Sequence, residues 1–168
     1  MTAHALLVGY VVMARLAELF HARRNTRRLL AAGGYEAGRR HYSMIVMIHA
    51  AWIFALAFGV PTDTLPVPNF LIPFVLLQFV RYWIIVTLGE RWTTRIIVVP
   101  DRALVTNGPY RWVRHPNYMI VIAEILLLPL VFGAWEIALG FTAVTGTAIL
   151  YRIRIEDGAL NRSVKPFK

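Results

Sequence analysis

Cysteine is absent from the 168 residues, which excludes a disulfide-stapled secreted fold and makes a zinc site unlikely. Charge is scarce as well: 16% of the residues are charged against 58% hydrophobic, a balance that favours a membrane protein. Several chemistry-bearing patterns are missing. There is no HExxH pair, and His4, His21, His41 and His49 have no metal-ligand spacing, so no metal is expected. No glycine-rich phosphate loop, Rossmann fingerprint or serine nucleophile elbow occurs. Nor is there an internal repeat, which removes support for an inverted-half transporter.

What is present is a set of apolar runs: Ala3 to Phe20, Ser43 to Val60, Phe70 to Gly89, Tyr118 to Phe132 and Trp135 to Tyr151. Crossing a bilayer takes roughly 20 residues. The first three runs are long enough. The last two are slightly short and separated only by Gly133-Ala134, so they read as a helical hairpin that packs as a unit. The expected fold is a single all-α domain, 1-168, integral to the membrane, with five transmembrane helices.

Basic residues set the orientation, since Lys and Arg are retained on the cytoplasmic side during insertion. They cluster after helix 1 (Arg23, Arg24, Arg27, Arg28, Arg39, Arg40), before helix 4 (Arg91, Arg95, Arg102, Arg111, Arg114) and in the C-terminal tail (Arg152, Arg154, Arg162, Lys165, Lys168). None lies in Pro61 to Asn69 or at Gly133. The expected topology is therefore N-terminus outside, C-terminus cytoplasmic. Confinement of the +9 net charge to one side is explained by insertion and anionic headgroups, so nucleic acid is not an expected partner. Helix 1 has neither a basic n-region nor a small-residue cleavage site and is expected to remain in the mature protein.

Four charged residues, Arg15, Glu18, Arg81 and Glu124, fall inside apolar runs, where an unpaired charge costs at least about 2.5 kcal/mol. At roughly 1.5 Å per residue from the cytoplasmic helix ends, Glu18 lies about 5 Å deep, Arg15 and Glu124 about 9 Å, and Arg81 about 12 Å. They form one layer. Arg81 is expected to pair with Glu124 or Glu18; the layer reads either as packing ion pairs or as the wall of a polar cavity with Gln78, and Arg81 and Glu124 are candidate acceptor-side residues.

The densest motif is Gly108-Pro109-Tyr110-Arg111-Trp112-Val113-Arg114-His115-Pro116-Asn117-Tyr118. Its prolines remove backbone donors and keep the residues before them out of the helical region, predicting a shaped loop that opens a helix at Asn117. At the other end of the chain Arg152 and Glu156 stand four apart on one helical face.

Leu104-Val105-Thr106-Asn107-Gly108-Pro109-Tyr110, then Arg114-His115-Pro116-Asn117-Tyr118, an apolar hairpin, and Arg152-Ile153-x-x-Glu156-Asp157 together resemble the isoprenylcysteine carboxyl methyltransferase family, from roughly Thr93 onward. The resemblance implies an S-adenosylmethionine site built from Arg102, Ala103, Leu104, Val105, Tyr110, His115, Pro116, Asn117, Tyr118 and Glu156 on the cytoplasmic side, with residues 91-168 as the cofactor half and 1-90 as the acceptor side. It implies that Arg152 orients the acceptor and that Arg152 and Glu156 carry the catalysis. Where the family usually has two glutamates this chain has Glu156-Asp157; its tail is shorter, and Met119 replaces a small residue.

Arg15-x-x-Glu18, Asn25, Gly33-Gly34-x-Glu36 and His41-Tyr42 are similar to a bacterial branch often found beside type III polyketide synthases and associated with methylation of long-chain phenolic or pyrone lipids. That resemblance implies an inner-membrane O-methyltransferase whose partner is a lipophilic acceptor, either a prenylcysteine carboxylate or a phenolic lipid. Oligomeric state and the general base stay open, with Glu156, Glu124 and His115 as base candidates. Sterol-type and steroid-type NADPH reductases share an RHPNY-like motif, usually followed by Gly-Glu; Met119-Ile120 stand there in this chain. A non-catalytic membrane module is the remaining alternative.

Overall fold

The computed structural model describes residues 2–100 and 102–163; Lys165 and Lys168 of the basic tail lie outside the described residues. Five helices carry the fold: α1 (Ala3–Ala31), α2 (Arg39–Gly59), α3 (Pro68–Leu88), α4 (Pro116–Val131) and α5 (Trp135–Ser163). Three apolar stretches are long enough to cross a membrane, Ala3–Ala31, His41–Gly59 and Pro68–Arg91, while α4 is apolar but shorter. The protein is an integral membrane protein. Large side chains that face outward, among them Met47, Phe54, Phe58, Phe79 and Tyr82, form the lipid-facing surface such a bundle requires.

Local sequence explains where the helices begin and stop. The Thr2 side chain caps α1 by accepting from the Ala5 amide at 3.3 Å. Pro68 and Pro116 occupy the first positions of α3 and α4, where a missing N–H costs nothing. Gly133, at φ 68°, makes the left-handed turn between α4 and α5. Inside the bundle Trp52 and Leu56 of α2, Phe74 of α3 and Ile125, Leu128 and Val131 of α4 form the core, with Val11 of α1.

Two features depart from the sequence reading. First, α1 is 29 residues long and continues well past Phe20, and α5, also 29 residues long, contains the expected helical Arg152 and Glu156 and runs on to Ser163. At 1.5 Å per residue each is about 43 Å, longer than the roughly 30 Å apolar layer. Arg23, Arg24, Arg27 and Arg28 are therefore helical rather than in a loop. Helical propensity of Arg and Leu carries the chain onward until Gly33-Gly34, where amides of both glycines bond back to Leu30 and Leu29 carbonyls.

Second, the fold is mostly helical but not all-α. Strand β1 (Tyr35–Ala37) pairs antiparallel with β2 (Ile96–Val98), in the register Tyr35↔Val98, Glu36↔Ile97 and Ala37↔Ile96. Three-residue strands are too short to show alternation in a sequence. They are held by tertiary contact instead: Ile96 and Val98 are buried against Ala159 of α5, with Ile155 and Leu160 packed around them.

Candidate functional site

Strand β2, the segment after it and the ends of α1, α3, α4 and α5 line a cavity of about 420 Å³, within the range of small-molecule sites. Its wall includes Arg102, Ala103, Leu104, Val105, Tyr110, His115, Asn117, Tyr118, Arg152 and Glu156. The structure thus brings ten of the sequence-derived residues to one cavity. Pro116 is buried and does not line it; it starts α4, and His115 before it stands at φ −127°, ψ 59°, outside the helical region as a pre-proline residue should be.

A turn at Gly108–Arg111 shapes one wall. Gly108 has φ 56°, and a Cβ there would come within 2.7 Å of the Thr87 hydroxyl oxygen, so this position needs glycine for both conformation and space. Tyr110 follows. Burial pushes its hydroxyl above the ordinary phenol range, and the Glu156 carboxylate pushes the same way, so Tyr110 stays a neutral donor.

Arg152 is buried at 6% exposure at the centre of the polar contacts. Its Nε donates to the Tyr118 hydroxyl at 2.8 Å and its Nη2 to the Thr94 carbonyl at 2.8 Å. The Tyr118 hydroxyl in turn donates to Glu156 Oε2. Four residues apart on α5, Arg152 and Glu156 therefore meet through the ring of Tyr118 on α4. His115 stacks on Tyr118 at 5.5 Å and contacts Asp157 Oδ1 at 3.2 Å, while Arg114 pairs with the same carboxylate at 3.2 Å. Asp157, noted in the sequence only as a departure, holds the Arg114-His115 loop onto α5.

Arg81 and Glu124 do not line this cavity. They belong to a closed ring of four charges. Arg81 spans both acids, donating to Glu18 Oε1 and Oε2 at 2.6 Å each and to Glu124 Oε2 at 2.7 Å. Arg15 closes the ring, reaching Glu18 at 3.0 Å and Glu124 at 3.2 Å, and Gln78 donates to Glu124 at 3.0 Å. Both partners expected for Arg81 are used at once. The three helices α1, α3 and α4 are tied together in this layer.

Sequence reading missed the supports of the site. Asn25 of α1, 1% exposed, donates its amide to the carbonyls of Gly89 at 3.0 Å and Trp92 at 2.8 Å. Glu36 pairs with Arg95 at 2.7 Å, Arg95 lies over the Tyr42 ring, and the Tyr42 hydroxyl meets Thr94 Oγ1 at 3.2 Å. The segment Trp92–Arg95 is consequently clamped from α1, β1, α2 and α5. Only the Asn25, Glu36 and Tyr42 positions within the N-terminal motif signalled it.

A model of the isoprenylcysteine carboxyl methyltransferase family matches residues 70–162. The chain belongs to this family. Along nearly its whole length it is also similar to YpbQ, an uncharacterized protein of Bacillus subtilis, 39% identical over 165 residues covering 95% of this chain and 98% of the relative. An uncharacterized protein of Haemophilus influenzae is 27% identical over 143 residues, covering 82% of this chain and 83% of its own. No solved structure matches significantly.

S-adenosylmethionine is the cofactor the family generally uses, and the donor set of the cavity fits it. Two buried polar atoms of the wall, Asn117 Oδ1 and Trp92 Nε1, have no partner among the described residues. One accepts and the other donates, which is what an amino-acid-plus-purine ligand needs. Glu156 offers a carboxylate and Tyr110 a neutral hydroxyl on the same wall.

Proposed function

We propose that the protein is an S-adenosylmethionine-dependent O-methyltransferase that modifies a lipophilic acceptor delivered from the membrane. The observation that carries the reading is the line Arg152–Tyr118–Glu156 along one cavity wall, in a chain of this family. The topology that goes with it has five crossing helices with α4 and α5 as a hairpin, the N-terminus outside, and the cavity facing the cytoplasm of a bacterial inner membrane. Residues 91-168 supply most of the cofactor half, and α1 to α3 the acceptor side.

When bound, S-adenosylmethionine supplies a methyl group already activated on a sulfonium, so neither metal nor covalent nucleophile is required. The chain has to align an oxygen with that carbon and keep water out. Arg152 does the aligning. Its Nε and Nη2 are fixed by Tyr118 and Thr94, which leaves Nη1, with no hydrogen-bond partner among the described residues, for the acceptor oxygen. Arg152 holds the acceptor oxygen that takes the methyl carbon supplied by the bound cofactor, whose sulfur would keep the carbon–sulfur electron pair.

For a carboxylate acceptor no proton moves, because it is ionised near neutral pH. A phenolic lipid, the acceptor we favour from the N-terminal motif, brings a hydroxyl with a pKa near 10. Arg152 stabilises the developing phenolate, and Glu156 takes the proton and passes it to the cytosolic water beyond. Glu124 is held by two arginines outside the cavity and His115 is engaged with Asp157, whereas Glu156 lines the cavity and uses only Oε2 on Tyr118, so it is the best placed of the base candidates. Arg81 and Glu124 hold the helices that bound the acceptor's path.

The test is a titration of the detergent-solubilised protein with S-adenosylmethionine and with NADPH, followed by transfer of labelled methyl to an alkylresorcinol and to a farnesylcysteine analogue. Binding of S-adenosylmethionine alone, with label on the resorcinol, is expected. Binding of NADPH alone would overturn the assignment in favour of a reductase.

A further inference from the structure

The cavity wall is strongly one-sided in charge. Among the described residues, Arg91, Arg95, Arg102, Arg111, Arg114 and Arg152 line it against the single carboxylate of Glu156. Two of these are ion-paired, Arg95 with Glu36 and Arg114 with Asp157, and Arg152 is joined to Glu156 through the Tyr118 hydroxyl that both contact. Arg91, Arg102 and Arg111 have no acidic partner among the described residues. Arg91 is nonetheless fixed, donating through Nη1 to the Ala103 carbonyl, and Arg102 is near enough to repel it. Like charges gathered at one opening cost free energy unless an anion joins them. A cationic cofactor with a single carboxylate does not supply enough negative charge.

The apolar side chains beside these arginines say where the anion comes from. Trp112, 69% exposed, adjoins Arg111 and packs edge-on against Trp83 of α3 at 5.9 Å, and Leu104 and Val113 are exposed on the same rim. Exposed tryptophan and aliphatic side chains interleaved with arginine mark a surface seated at headgroup depth, with the rings in the interface and the guanidiniums among phosphates.

We infer that Arg91, Arg102 and Arg111 form an anion site at the rim of the cavity that takes the phosphate of an anionic phospholipid headgroup. The bound phosphate offsets the arginine field, so lipid and cationic cofactor strengthen each other's binding. The lipid site stands on the rim alone; its coupling to the cofactor rests on the proposed methyltransferase reading.

The experiment places the full chain in nanodiscs of phosphatidylcholine with or without phosphatidylglycerol. Trp112 quenching by brominated phosphatidylglycerol and by brominated phosphatidylcholine is compared, with Trp112→Phe defining the background from the other tryptophans. The anionic lipid should quench Trp112 more strongly. Arg111→Gln, an exposed position that leaves folding intact, should weaken the preference about fivefold, the contribution of one basic residue at an anionic surface. Arg91→Gln should do the same, and S-adenosylmethionine should bind more tightly in the anionic discs. Equal quenching by both lipids, or an unchanged preference in Arg111→Gln, would overturn the site. Millimolar inorganic phosphate that tightens cofactor binding in neutral discs as much as the lipid does would assign the site to a soluble anion and overturn the lipid source. Lipid preference with no S-adenosylmethionine binding in any disc would support the anion site and refute the methyltransferase reading instead.

Discussion

Replacing Arg81 by leucine removes three charge-assisted hydrogen bonds and leaves the two carboxylates of Glu18 and Glu124 facing the single cation of Arg15. All four side chains are nearly enclosed, at 18% exposure or less, so water cannot take over. Breaking a buried pair from one side costs about 3–5 kcal/mol. Glu18 and Glu124 stand on α1 and α4, so the penalty pulls apart helices that the core alone must then hold together. The cost should appear as a large loss of thermal stability in detergent, followed by circular dichroism.

Two controls fix the interpretation. Arg28→Ala breaks the Arg28–Glu90 pair, whose side chains are 48% and 67% exposed, and should change stability by no more than about 1 kcal/mol. Arg81→Leu combined with Glu124→Leu leaves Arg15 and Glu18 as a matched pair at 3.0 Å, and should recover much of what Arg81→Leu loses. If Arg81→Leu is as stable as the parent, or if the double variant falls below the parent by the sum of the two single losses, the ring of four charges does not tie the helices and the argument fails.

The cofactor reading predicts that His115→Ala and Glu156→Ala weaken S-adenosylmethionine binding, by roughly tenfold or more for the charged Glu156, while circular dichroism stays unchanged; equal affinity in both refutes the site. Topology is checked with reporters. One fused after Lys168 should read cytoplasmic and one inserted near Asp63 external, and the reverse pattern would place the cavity on the wrong side for a cytosolic cofactor. Turnover of a phenolic acceptor should climb with pH from about 6 to 8, toward titration of the phenol, whereas a carboxylate acceptor predicts a nearly flat rate over that range.

How much of this was legible depended on the kind of signal. Long apolar runs announced α1, α2 and α3 because lipid demands a continuous stretch, and Pro109 and Pro116 announced the loop because proline acts on its own backbone and its neighbour's. Ion pairing was legible from depth alone, since Arg15, Glu18, Arg81 and Glu124 had to be met by something. Depth could not say that Arg81 takes both acids at once, which is set by how α1, α3 and α4 face one another. The extension of α1 through Arg23–Arg28 was illegible to an apolar pattern, because a helix outside the apolar layer has no face to bury. Strands β1 and β2 were illegible for a related reason: three residues carry too little pattern, and their stability comes from Ala159 and Ile155, about sixty residues beyond β2.

The clamp on Trp92–Arg95 explains why site and scaffold cannot be separated at residue 90. The family match begins at residue 70, yet the Thr94 carbonyl that fixes Arg152 is itself held by groups outside that span. Tyr42 reaches the Thr94 hydroxyl, Glu36 anchors Arg95 beside it, and Asn25 holds the carbonyls of Gly89 and Trp92 just before it. A shift of α1 or α2 against α5 therefore moves Thr94, and with it the guanidinium that would align an acceptor oxygen. A displacement near 1 Å is enough to cost about a hundredfold in an alignment-driven reaction. The N-terminal residues that look unlike chemistry are thus the ones through which α1 and α2 set the position of Arg152, and under the proposed function that coupling would let a membrane-borne acceptor packed against those helices act on the geometry of the site.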